Sequence, residues 1–157
     1  MQLLRTDSTH PDFRQLVAQL DAYLSVRNGD SDSFYAQFNT LDKLRQAVIA
    51  YQDGLPVGCG AFRPLTDTSA EIKRMYVVPA DRGRGIAGRI LAELEAWSRE
   101  LGFTTCLLET GRDFTDAVQL YRRHGYVDTP NYGPYVGVAN SLCMRKDLTD
   151  PTGHQTA

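Results

Sequence analysis

The chain has 157 residues, 42% of them apolar and 23% charged, which is enough for one well-buried core and gives no reason to expect a second domain. A formal charge of −2 and a pI near 5.9 argue against nonspecific nucleic-acid binding, although the basic cluster from Lys73 to Arg89 suits local contact with phosphates. No apolar run approaches a membrane span, and the first residues lack the apolar region of a secretory signal, so a soluble, cytoplasmic protein is expected.

Residues 2–6 read as a first strand. Phe13, Leu16, Val17, Leu20 and Leu24 recur at helical spacing after Pro11, which predicts an amphipathic helix over 11–25 that stops near Asn28-Gly29. A second short helix is expected over Phe34 to Asn39 or Asp42 to Gln46. Ala47 to Tyr51 and Pro56 to Arg63 read as a hairpin turned by Asp53-Gly54, where both residue types tolerate positive φ. Gly58 and Gly60 point to a close neighbour along the second of these strands.

Ala70 to Val78 reads as a fourth strand. A helix from about Gly83 to Leu101 follows, with Ile86, Ile90, Leu94, Trp97 and Leu101 on one face and Gly102 at its end. Thr104 to Glu109 reads as a buried fifth strand and Phe114 to His124 as a short helix. Tyr126 to Thr129 and Ser141 to Lys146 read as a closing strand pair. The folded domain is expected to end near residue 148, and the polar stretch 149–157 to fray. Cys59, Cys106 and Cys143 are odd in number, widely spaced and set in apolar segments, so they read as buried reduced thiols. No histidine or cysteine cluster suggests a metal.

The run Val77-Val78-Pro79-Ala80-Asp81-Arg82-Gly83-Arg84-Gly85-Ile86-Ala87-Gly88-Arg89 joins the fourth strand to the long helix. Free N–H groups at a helix N-terminus converge on anions, and glycines let a bulky pyrophosphate approach. A Walker loop needs a lysine directly after its last glycine, and none is present. The run fits Arg/Gln-x-x-Gly-x-Gly/Ala as Arg82-Gly83-Arg84-Gly85-Ile86-Ala87. The flanks Ala70-Glu71-Ile72-Lys73-Arg74-Met75-Tyr76-Val77 and Leu120-Tyr121-Arg122-Arg123-His124-Gly125-Tyr126 extend the pattern.

Together these motifs, spread from about Val48 to Leu148, resemble the GNAT superfamily of N-acetyltransferases. The resemblance implies an α/β fold with a mixed, mainly antiparallel sheet of six to seven strands flanked by about four helices. It also implies acetyl-CoA as acyl donor, gripped by Arg82, Gly83, Arg84, Gly85, Ile86, Ala87 and Gly88, with Met75 and Tyr76 flanking the pantetheine arm and the Val77 N–H facing the thioester carbonyl. Many relatives carry an asparagine seven residues before the motif tyrosine, to hold the pantetheine or a water. Phe114 stands there instead, which makes Thr110 or Asp116 the candidate pantetheine contact.

Acetyl transfer to an amine needs a base for the ammonium, an oxyanion donor and a proton or hydrogen bond for the departing thiolate. Tyr121 is the candidate acid, and Glu71 and Glu109 are the candidate bases; each glutamate reads otherwise as a solvated strand-end charge or a partner for Lys73 or Arg74. His124 reads as a favourable cation near a helix C-terminus. The acceptor is expected around Asp30 to Asn39 and Asn131 to Asn140, where Tyr35, Tyr132 and Tyr135 would flank a small amine. A small-molecule acceptor is the leading expectation, with a lysine or N-terminal protein acetyltransferase and a noncatalytic acyl-CoA sensor as the rivals. Paired strand edges leave a homodimer open.

Overall fold

A computed structural model describes residues 1–29 and 44–148. The order is β1 (Gln2–Thr6), α1 (Pro11–Asn28), β2 (Gln46–Gln52), β3 (Leu55–Pro64), β4 (Ser69–Val77), α2 (Ile86–Glu100), β5 (Thr105–Gly111), α3 (Thr115–Arg123), β6 (Val127–Thr129) and β7 (Ser141–Asp147). The strands form one seven-stranded sheet in the order β1-β2-β3-β4-β5-β7-β6. Its β4–β5 pair is parallel, while β1–β2, β2–β3, β5–β7 and β6–β7 are antiparallel, so the mixed α/β sheet expected from the sequence is the one that forms. Three α-helices lie among the described residues. The short helix expected over 34–39 or 42–46 falls on residues outside them, except that Gln46 opens β2.

Local chemistry explains most boundaries. The His10 imidazole caps α1 by accepting from the Asp12 N–H at 3.1 Å, with Pro11 in the first turn. Asp53 and Gly54 adopt φ of 52° and 79°, the left-handed pair that a two-residue hairpin needs. At its other end α2 closes with Gly102 N–H to Arg99 O and Phe103 N–H to Ser98 O, a glycine-capped stop. Its start differs from expectation: the helix begins at Ile86 rather than Gly83, because Gly83 and Gly85 hold φ of 80° and 78° and cannot lie inside a right-handed helix.

The chain divides into two compact units, Met1–Arg63 with Lys73–Leu94, and Pro64–Ile72 with Glu95–Ala157. In the first, Phe13, Leu16, Val17 and Leu20 of α1 bury against Ala47, Ile49, Cys59, Ala61 and Tyr76. A Cβ at Gly60 would come within 2.5 Å of Met75 Sδ and 2.9 Å of Leu94 Cδ1, which is the close neighbour the glycine implied. In the second, Glu95 is 5% exposed and accepts from the Tyr126 hydroxyl at 3.0 Å and Lys146 Nζ at 2.8 Å, tying α2 to β7. All three cysteines are buried and free, as expected. Burial pushes the Cys59 thiol up to about 12 and the Cys106 thiol up to about 11. No described helix is long and apolar enough to cross a membrane, and no cluster of metal-ligating residues occurs among the described residues.

Candidate active site

The first unit holds the candidate anion cradle. After β4, a single turn at Pro79–Asp81 leads through extended Arg82 to Gly83 and Gly85. The Arg89 N–H bonds to Gly85 O at 3.2 Å and begins the helical ladder, so the N–H groups of Ile86, Ala87 and Gly88 have no acceptor within their own helix. A Cβ built on Gly83 or Gly85 meets nothing within 4 Å, so the loop is open on the side that glycine exposes. That arrangement fits a pyrophosphate, which combines bulk with negative charge.

Arg82 is fixed rather than free to swing. Its Nε donates to Val77 O at 2.8 Å, and its guanidinium lies 5.3 Å from the ring centre of Tyr23 and 5.6 Å from that of Tyr76. Arg84 is 64% exposed and reaches Asp81 at 3.5 Å. Tyr76 packs in the core beneath α1 at 8% exposure, and the Met75 sulfur lies beside Gly60. Any contact those two make to a pantetheine arm therefore falls to their backbone. Within β4, Arg74 has φ of 62°, an irregularity in mid-strand. The ladder with β5 runs from Ser69↔Thr105 to Glu71↔Leu107, and β4 continues past its end to Val77.

The second unit holds the carboxylates and the phenol. Glu71 is 2% exposed, and its Oε2 accepts from the Tyr132 hydroxyl at 2.7 Å. Arg74, one of the two cations considered for Glu71, instead pairs with Asp21 at 2.6 Å. Tyr132 is held in place by its neighbour: Asn131 Nδ2 donates to Tyr135 O at 3.0 Å, Val138 O at 3.1 Å and Ser141 O at 3.2 Å, closing the loop before β7. Tyr132 and Tyr135 meet edge to face at 5.9 Å. The sequence marked Tyr132 as an acceptor flank but not as a partner of Glu71, and it named Asn131 only as the start of that segment. Neither sits in a periodic pattern, so only the closed loop reveals them.

Tyr121 lies on α3 at 8% exposure, edge to face with Tyr126 at 5.8 Å. Burial first, and the Glu109 carboxylate second, push its phenol above the ordinary tyrosine range. It therefore stays protonated at neutral pH, which leaves its hydroxyl proton in place for donation. Glu109 faces Cys143 across β5 and β7, and both Glu109 and Glu71 help to raise the Cys143 thiol, after burial as the larger cause. The structure thus gathers Glu71, Glu109, Tyr121 and Tyr132 in one unit, with Thr110 on β5 at 8% exposure. His124 caps the end of α3.

A family model described as the acetyltransferase (GNAT) family matches residues 11–126. An IAA acetyltransferase of Azospirillum brasilense is 36% identical over 136 residues, 85% of this chain and 89% of that protein. The structure of an inferred acyl-CoA N-acyltransferase from Klebsiella pneumoniae superposes with a TM-score of 0.79 at 30% identity, covering 94% of this chain and 97% of that one. An aminoglycoside 6'-N-acetyltransferase complexed with coenzyme A shares the fold at 20% identity and a TM-score of 0.68, over 96% and 98% of the two chains. A glycine cradle opening α2, a sheet of this order and a family match across most of its elements lead to one conclusion: the chain belongs to the acetyltransferase (GNAT) family and is an acetyl-CoA-dependent acyltransferase.

Proposed function

We propose that the protein moves an acetyl group from acetyl-CoA onto a primary amine of a small molecule, by direct attack within a ternary complex. The observation that carries this reading is Glu71. Its carboxylate is 2% exposed and sits under Tyr132 on a loop closed by Asn131, so it serves an ammonium that has entered the fold better than one presented on a broad protein surface. The IAA acetyltransferase of Azospirillum brasilense and the aminoglycoside enzyme both bear names of small acceptors, which supports the same direction.

Bound acetyl-CoA supplies the activated acetyl thioester. Arg82, Gly83, Arg84, Gly85, Ile86, Ala87 and Gly88 hold its pyrophosphate by backbone N–H groups and positive charge, with Thr110 and the backbone of Met75 and Tyr76 along the pantetheine. The Val77 N–H donates to the carbonyl oxygen as negative charge builds there. Glu71 takes the proton of the acceptor ammonium, with Glu109 as the second carboxylate within the same unit. Tyr121 donates to the departing sulfur. Because its phenol lies above the ordinary range while a thiolate titrates near ~8.5, complete proton transfer is uphill and the phenol acts mainly as a strong hydrogen-bond donor.

The test is acetyl-CoA-dependent thiol release against amino acids, polyamines, aminoglycosides, other small amines and lysine peptides. Turnover of small amines supports the proposal. Turnover confined to peptides replaces it with protein acetylation, and tight acetyl-CoA binding without turnover of any acceptor replaces it with a sensor.

A further inference from the structure

Arg74 is a buried guanidinium whose donors are only partly used. Its side chain is 2% exposed, and Nη1 donates to Asp21 Oδ1 of α1 at 2.6 Å. Its Nε and Nη2 are buried and have no hydrogen-bond partner among the described residues. Buried donors are ordinarily satisfied, so a pair of them on one side chain calls for a ligand. Those two N–H groups form one edge of the planar fork, the edge that receives both oxygens of a carboxylate side by side.

The backbone gives a second, independent indication. Arg74 adopts φ of 62° without being glycine, in the middle of a strand. Such strain persists where the surrounding structure enforces it, and it clusters at ligand sites. The pair with Asp21 places the side chain against α1 at this irregular position. Charge narrows the choice of ligand. Asp21 already balances the guanidinium, which leaves room for a monoanion more readily than for a phosphate dianion. The pyrophosphate, moreover, has its own cradle after β4.

We infer that Arg74 binds a carboxylate of the acceptor, so that the amine this enzyme acetylates belongs to an amino acid or a comparable amino-carboxylic acid. Arg74 stands three residues before Val77 on the same strand, in the same compact unit as the acetyl-CoA loop. This inference rests on the small-amine reading above and narrows its substrate class.

The experiment compares α-amino acids with their decarboxylated amines, for example phenylalanine with phenethylamine and methionine with its amine, in the full-length wild type and in Arg74→Met and Arg74→Lys. The expected result is at least a tenfold preference in kcat/KM for the acids in wild type. In Arg74→Met it falls to within about twofold through a higher KM for the acids, while turnover of the amines persists. Arg74→Lys keeps the charge but loses the planar fork, so the preference shrinks there too and the test survives if the methionine variant fails to fold. Equal wild-type turnover of acids and amines, or an undiminished preference in a folded Arg74 variant, overturns the carboxylate site while leaving the acetyl transfer to small amines standing. Silence with every acid and amine, in wild type that still binds acetyl-CoA, overturns the small-amine reading itself and the inference with it.

Discussion

Tyr121→Phe isolates one oxygen atom. The ring stays, together with its edge-to-face contact to Tyr126 at 5.8 Å and 64°, so the substitution leaves packing on α3 intact. What it removes is a phenol held protonated by burial and by the Glu109 carboxylate. A hydrogen bond to a charged partner contributes about 1.5–3 kcal/mol. At 1.36 kcal/mol per tenfold this amounts to roughly 10- to 150-fold in rate. The upper part of that interval, about 10²-fold in kcat, is expected, because the low-polarity surroundings that raise the phenol also strengthen its bond to a developing thiolate. Steady-state thiol release supplies kcat, equilibrium binding supplies the acetyl-CoA affinity, and thermal unfolding checks the fold. Affinity should be little changed and stability should move by less than ~1 kcal/mol. A kcat within about threefold of wild type, in a folded variant, removes Tyr121 from the chemistry.

Gly85→Glu puts a bulky anion where the loop opens and forces a non-glycine residue to φ of 78°, so acetyl-CoA binding should vanish in a calorimetric titration; a folded variant that binds normally refutes the cradle. Glu71→Gln keeps the acceptance from the Tyr132 hydroxyl but removes the basic oxygen, and kcat at neutral pH should drop by about 10²-fold, with unchanged turnover passing the role of base to Glu109. Alkaline stability offers a check away from the site. The Cys59 thiol is raised from 9.0 to about 12, so the folded state favours its protonated form, and the associated stability is whole below pH 9 and lost as pH climbs toward 12. In Cys59→Ala the fall in unfolding free energy from pH 8 to pH 10.5 should be smaller than in wild type by about 2 kcal/mol, and an identical fall in denaturant titrations contradicts the assignment.

The glycine loop proposed to hold acetyl-CoA was legible as a backbone shape because its physics is local. Arg82, Gly83 and Gly85 act through φ angles and unpaired N–H groups within a few residues of one another, and the same holds for the Asp53-Gly54 turn and the Gly102 stop. The helix start at Ile86 was misplaced by three residues for a related reason: apolar periodicity runs on through a loop whose glycines have left the helical region.

The carboxylates and the phenol were legible as residue types at motif positions, but not in their environments. That Glu71 faces Tyr132, 61 residues away, depends on β4 and the loop before β7 reaching the same unit. That Arg74 pairs with Asp21, 53 residues away, keeps two donors buried and sits at a mid-strand irregularity is signalled by no residue in its neighbourhood. Sequence alone determined what is written in short-range backbone chemistry: the elements, the glycine loop before α2 and through them the family. Only the tertiary structure decided which distant side chains share a dry environment, since burial, charge pairing and the raised phenol at Tyr121 arise from chain segments that adjoin only after the sheet has formed.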